Sequence, residues 1–75
     1  PKSLVEQIDA VLQEMLAQSP LSAGEIHLSE NAALGLEVRL GSTRYDGIEA
    51  VPDANARQVI RAAIGEWQRR AQHPS

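Results

Sequence analysis

Residues 34–46 carry the sequence LGLEVRLGSTRYD, in which apolar and polar side chains alternate on both sides of a Gly-Ser pair. Alternation with a period of two is typical of a strand with one buried face. Gly41 and Ser42 suit a two-residue hairpin turn with glycine at its first central position. The turn and the alternation therefore predict the same register. Its pairs on the buried face are Leu36 with Gly47, Val38 with Tyr45, and Leu40 with Thr43.

This register also determines the composition of the exposed face of the hairpin. It places Arg39 directly opposite Arg44, and Glu37 directly opposite Asp46. Like charges that face each other across two strands reduce stability, on a scale of roughly 0.2–1 kcal/mol. Under a structural interpretation, twist and the diagonal contacts of Arg39 with Asp46 and Glu37 with Arg44 relieve this cost. Under a functional interpretation, these four residues bind a partner whose polar surface supplies the missing counter-charges.

An amphipathic helix precedes the hairpin. Ser3 and Glu6 have the spacing of a capping box, and Ser19 lies before a proline, which disfavours helical angles. We therefore expect a helix from about Ser3 to Gln18, with Asp9 and Gln13 on its polar side. The apolar side forms one wide arc of Leu4, Val5, Ile8, Val11, Leu12, Met15 and Leu16.

Two of these apolar residues, Val5 and Leu16, lie on one edge of the arc. If the sheet covers the centre of the arc, they remain accessible to a partner or to a second copy of the chain. They are the alternative partner-binding patch. The competing interpretation is that the whole arc belongs to the core, since a domain with few large side chains needs every apolar group.

A third strand and a second helix complete the pattern. Residues 25–29 alternate, with Ile26 and Leu28 on one face and His27 on the other, which predicts a short strand. After the hairpin, Asp53 is the expected N-cap of a helix, and Trp67 is its expected central anchor, touching both the sheet and the first helix. The apolar stripe of that helix comprises Ala56, Val59, Ile60, Ala63, Ile64, Trp67 and Ala71.

The element order is therefore α-β-β-β-α. Both helices need to bury an apolar stripe, and a meander has one apolar face to offer. We expect a two-layer α+β fold, in which a three-stranded antiparallel meander carries both helices on one face. Residues 1–75 form one small domain, with its core in 3–71 and a frayed tail at 72–75.

The composition argues against catalytic sites, metal sites and membrane association. The 75 residues include no cysteine, which removes disulfides and thiolate sites and favours a reducing, cytoplasmic location. No apolar run approaches the roughly 20 residues that span a bilayer, so we expect no membrane association. His27 lacks the ordered neighbours of a metal site. The sequence predicts no catalytic, cofactor-binding or metal-binding residues, and the chain is expected not to be an enzyme.

The α-β-β-β-α order and the length resemble the double-stranded RNA-binding domain. That family binds phosphates through a lysine-rich start of its second helix, whereas residues 53–57 here read DANAR and the net charge is −3. Arg57 and Arg61, on the flank of the second helix, are the only remnant of such a basic ridge. We therefore expect a non-enzymatic module that binds another protein or a second copy of itself, with nucleic-acid binding as the alternative.

Overall fold

The computed structural model describes residues 3–19, 25–31 and 35–72. The three strands form one antiparallel sheet in the order β1-β2-β3. Both helices contribute to one core cluster with the inward side chains of the sheet. The predicted α+β meander with its two helices is confirmed. Its elements are α1 (Leu4–Gln18), β1 (Ile26–Glu30), β2 (Leu36–Leu40), β3 (Thr43–Asp46), a short 3-10 helix (Ile48–Ala50) and α2 (Ala54–Gln72).

Both helices begin at the predicted caps. The Ser3 hydroxyl accepts a hydrogen bond from the Glu6 N–H at 3.2 Å, and the Glu6 carboxylate accepts one from the Ser3 N–H at 3.3 Å. Asp53 Oδ1 accepts from the Ala56 N–H at 3.1 Å. Because each cap satisfies N–H groups that a helix leaves unpaired, local sequence sets both start points. Helix α2 continues through Gln72, one residue into the predicted tail, and residues 73–75 and Leu34 lie outside the described residues.

The hairpin has the predicted register. Gly41 adopts φ 63°, a left-handed conformation that favours glycine, and Val38 pairs with Tyr45. The ladder ends at Glu37 and Asp46, so the expected pairing of Leu36 with Gly47 does not extend it. The strand stops there because Gly47, at φ 96°, turns the chain into the 3-10 helix. Thr43, expected on the buried face, is exposed at the turn end of the hairpin, where it pairs with Leu40.

Helix α1 lies along the outer edge of β1 and binds its backbone. Asp9 Oδ1 accepts a hydrogen bond from the Leu28 N–H at 3.0 Å, and Gln13 Nε2 donates to the Ile26 carbonyl at 2.7 Å. Gln13 Nε2 also donates to Asp9 Oδ1 at 3.1 Å. The sequence placed both residues on the polar side of the helix, but they are half-buried and cover an edge that would otherwise expose unpaired backbone groups.

The centre of the core is aliphatic. Leu12, Ile26, Val38, Val51 and Ile60 are its largest fully buried side chains. Trp67 is half-buried and donates its indole N–H to Gln7 Oε1 of α1 at 3.2 Å. The tryptophan thus contacts the first helix as expected, but Ile60 occupies the central position of α2 that was predicted for it.

Two leucines of α1 provide a matched test of this core. Leu12 is fully buried, whereas Leu4 is 53% exposed. We expect Leu12→Ala to lower the free energy of unfolding by about 2–5 kcal/mol, because it removes buried methyl groups and leaves a cavity. Leu4→Ala should change it by less than about 0.5 kcal/mol. Urea denaturation followed by tryptophan fluorescence measures both, and equal losses would contradict the placement of α1.

Candidate interaction surface

The sheet face away from the helices carries two rows of polar side chains that run across all three strands. The register places His27 beside Arg39 and Arg39 beside Arg44, which makes one row basic. The next row lies two residues further along each strand, about 7 Å away. We call these two rows the charged face. It consists of His27, Arg39 and Arg44 in the basic row, and of Ser29, Glu37 and Asp46 in the other.

The hydrogen-bond pattern of the sheet shows how closely the like charges approach. The Gly41 N–H donates to the Glu25 carbonyl at 2.9 Å, and the Asn31 N–H donates to the Gly35 carbonyl at 3.0 Å. The odd-numbered residues of β2 therefore form the hydrogen-bonded pairs with β1, and the even-numbered ones form those with β3.

The two like-charge pairs consequently occupy non-hydrogen-bonded positions between β2 and β3. The pairs are Arg39 with Arg44 and Glu37 with Asp46. At such positions the Cα atoms lie about 4.5 Å apart, compared with about 5.5 Å in hydrogen-bonded pairs. The fold thus holds both pairs of like charges at the shorter of the two separations.

Relief of this repulsion within the chain is incomplete. Arg44 Nε lies 3.6 Å from Glu37 Oε1, which is one of the two predicted diagonal contacts. The other, Arg39 with Asp46, does not form an ion pair in the described structure. His27 Nε2 lies 3.6 Å from Glu25 Oε2. Arg39 and Asp46 are both exposed. On the charged face they are the base and the acid that form no ion pair with another side chain in the described ranges.

A cleft of about 360 Å³ opens over the charged face. Besides residues of that face, Asp9, Leu28 and Glu30 line it. Small-molecule sites are lined mainly by apolar and aromatic side chains. This lining is largely charged, which is typical of a contact with another polar surface.

A second charged cluster joins the two helices. Arg70 reaches Glu14 of α1 at 3.2 and 3.3 Å and Glu66 of its own helix at 3.1 Å. Arg69 also bonds to Glu66. The hydrogen bonds from Arg69 and Arg70 hold the pKa of Glu66 below its ordinary value, and those to Glu14 and Glu66 raise the pKa of Arg70. The charged groups of this cluster are paired with one another, so the cluster links the two helices.

The alternative patch of Val5 and Leu16 is less accessible than the sequence suggested. Both side chains are half-buried and pack against the core cluster. Leu4, on the same helix, is the large apolar side chain that is most exposed in the described ranges. The exposure of Leu4 could not be predicted from the sequence, because Leu4 belongs to the same apolar arc as its neighbours.

The two arginines that remained of a basic ridge are already engaged. Arg57 Nη1 donates to the Val51 carbonyl at 2.6 Å, and Arg61 Nη2 donates to Glu49 Oε1 at 2.5 Å. Arg57 thereby links the start of α2 to the preceding loop, while Arg61 links it to the 3-10 helix. A phosphate group would compete with these contacts, which weighs against nucleic acid as a partner.

No group of three or more His, Asp or Glu side chains in the described ranges is placed to hold a metal ion. Neither of the described helices combines the length and the apolar character needed to cross a bilayer. Comparison of the chain with models of known protein families, with curated proteins and with solved structures gives no match.

The repulsion on the charged face has a measurable effect on stability. We expect Arg39→Glu to raise the free energy of unfolding by up to about 1 kcal/mol, because it places an acid opposite Arg44 at a close cross-strand position. Arg61→Glu makes the same change of charge on α2, where it removes the ion pair with Glu49. That control should lower stability by less than about 1 kcal/mol. Chemical denaturation at low ionic strength measures the free energy of unfolding of both variants. A larger loss of stability in Arg39→Glu than in Arg61→Glu would contradict the predicted repulsion.

Proposed function

We propose that this domain is a non-enzymatic protein-interaction module that binds its partner through the charged face. The observation that carries the proposal is the pair of like-charge contacts at non-hydrogen-bonded positions, Arg39 with Arg44 and Glu37 with Asp46. A fold selected for stability alone gains nothing from these contacts. A partner that brings an acidic group to the basic row and a basic group to the acidic row turns both contacts into favourable ones.

The partner implied by this arrangement is a polar protein surface. Its charges alternate in sign at a spacing of about 7 Å, to match the separation of the two rows. Such a contact derives its specificity and its association rate from electrostatics, and both fall as salt screens the charges. The open, charged cleft is consistent with this kind of contact.

Nucleic acid is the alternative partner, and the helix contacts argue against it. The two arginines at the start of α2 bond to groups of the domain itself. The proposal places the module in the cytoplasm, and the lack of cysteine in the chain supports a reducing compartment.

The test compares three baits that differ by single substitutions. The wild type, Arg39→Glu and Arg61→Glu are immobilised, and the proteins that they retain from a lysate of the native host at low salt are quantified by mass spectrometry. We expect partners that the wild type and Arg61→Glu retain equally and that Arg39→Glu loses. The loss should shrink at high ionic strength, because screening weakens the contribution of Arg39. Retention of the same proteins by all three baits would exclude the charged face as the binding site.

A further inference from the structure

The two edges of the sheet are treated differently by the fold. The backbone of β1 is bonded at its outer edge by the side chains of Asp9 and Gln13 of α1. Strand β3 forms the opposite edge, and among the described residues no strand other than β2 pairs with it. An uncovered edge strand presents backbone N–H and C=O groups that can pair with another strand. The sheet is therefore able to extend on the β3 side.

The hydrogen-bond pattern identifies which groups of β3 are free. Its odd-numbered residues bond to β2, because Tyr45 pairs with Val38 at a hydrogen-bonded position. The N–H and C=O groups of Arg44 and Asp46 therefore point outward, and in the described part of the chain they have no partner. Any strand that joins this edge must bond to these two residues.

We propose that β3 pairs antiparallel with β3 of a second copy of the chain, in the register that places Arg44 of each copy opposite Asp46 of the other. This inference rests on the proposed function and names its partner. In that register both residues form hydrogen-bonded pairs, and each pair exchanges its two backbone bonds. The two-fold axis passes between the two copies of Tyr45, which meet on the helix side of the sheet.

Charge selects this register among those that the hydrogen bonds permit. The outward groups also allow Arg44 to pair with its own copy, or Asp46 with its own copy. Either alternative brings like charges into direct opposition, with Cβ atoms about 5 Å apart. The proposed register replaces both contacts by ion pairs, and the remaining like-charge neighbours are diagonal, at about 7–8 Å.

The same register resolves the repulsion within each chain. Within one chain, Arg44 faces Arg39, and Asp46 faces Glu37. The second copy places its own Asp46 beside that Arg44 and its own Arg44 beside that Asp46, so each like-charge pair gains a counter-charge. Charge on an edge strand ordinarily keeps other strands away. In β3, a base (Arg44) is followed two residues later by an acid (Asp46). In an antiparallel pair of two β3 strands, this order places each base opposite an acid, so the charges favour pairing with a second copy of the chain.

Two single charge reversals separate self-association from folding. Arg44→Asp places an acid opposite Arg39, and Asp46→Arg places a base opposite Glu37, so each relieves repulsion within the chain and leaves the monomer folded. In the symmetric dimer, each creates two like-charge contacts across the interface. We expect either substitution to weaken self-association by about tenfold or more.

A mixing experiment tests whether these charge contacts form across the interface. Because β3 has four residues, the interface is small, and sedimentation equilibrium should cover concentrations from about micromolar to about millimolar. We expect the wild type to shift from its 8.1 kDa monomer to twice that mass, and each variant alone to remain monomeric. An equimolar mixture of Arg44→Asp with Asp46→Arg should dimerise again, because every cross-interface pair is then of opposite sign. The double variant, which exchanges the two charges, should dimerise by itself.

Each other outcome overturns the inference. A wild type that stays monomeric over the whole range excludes pairing through β3. Single variants that dimerise as well as the wild type exclude the charge contacts, and a mixture that stays monomeric excludes the register. The proposed function fails separately, since its test substitutes Arg39 of the central strand and measures which proteins the baits retain from a lysate, a second copy of the chain included.

Discussion

The pairing of β2 with β3 is set by the two-residue turn at Gly41 and Ser42, and both faces of the sheet depend on it. Because side chains alternate along a strand, a shift by one residue would move Val38 out of the core and bring Arg39 into it. The cost of burying an unpaired guanidinium excludes that arrangement. The constraint that completes the core therefore also aligns the like charges on the opposite face, and neither can change without the other.

A second constraint is the unequal treatment of the two sheet edges. Helix α1 contributes apolar side chains to the core and, from its flank, a carboxylate and an amide to the backbone of β1. Its position over β1 leaves β3 at the margin of the helical layer. The interaction surface follows from this asymmetry, since the charged face meets an open edge only on the side that α1 does not reach.

Much of this structure could be predicted from local sequence. The caps at Ser3 and Asp53 and the turn at Gly41 depend on neighbouring residues, so the sequence predicted them correctly. The like-charge pairs followed from the register alone. What could not be predicted depends on how elements meet. The roles of Asp9 and Gln13 require α1 to lie against β1, and a periodic pattern shows only that their side of the helix is polar.

The same limit explains the remaining differences. Trp67 was expected at the centre because of its size, but its indole N–H needs a hydrogen-bond partner, and Gln7 provides one near the surface. Arg57 and Arg61 were predicted to be the remnant of a basic ridge, but they bond to Val51 and Glu49. Spacing along a helix predicts which face each residue occupies. It does not predict a hydrogen-bond acceptor that lies outside the helix, as Val51 and Glu49 do.

The contact between the two helices has a consequence for synthesis. Trp67 bonds to Gln7 and Arg70 to Glu14, so the first and last elements of the domain complete each other. During translation the hairpin has all of its local partners early, but the apolar arc of α1 has no α2 to cover it until the C-terminal third of the chain has left the ribosome. A nascent chain generally folds as whole domains, and exposed apolar surface invites aggregation until it does. The core of this domain therefore stays incomplete until α2, the last of its elements to be synthesised, is available to pack against α1.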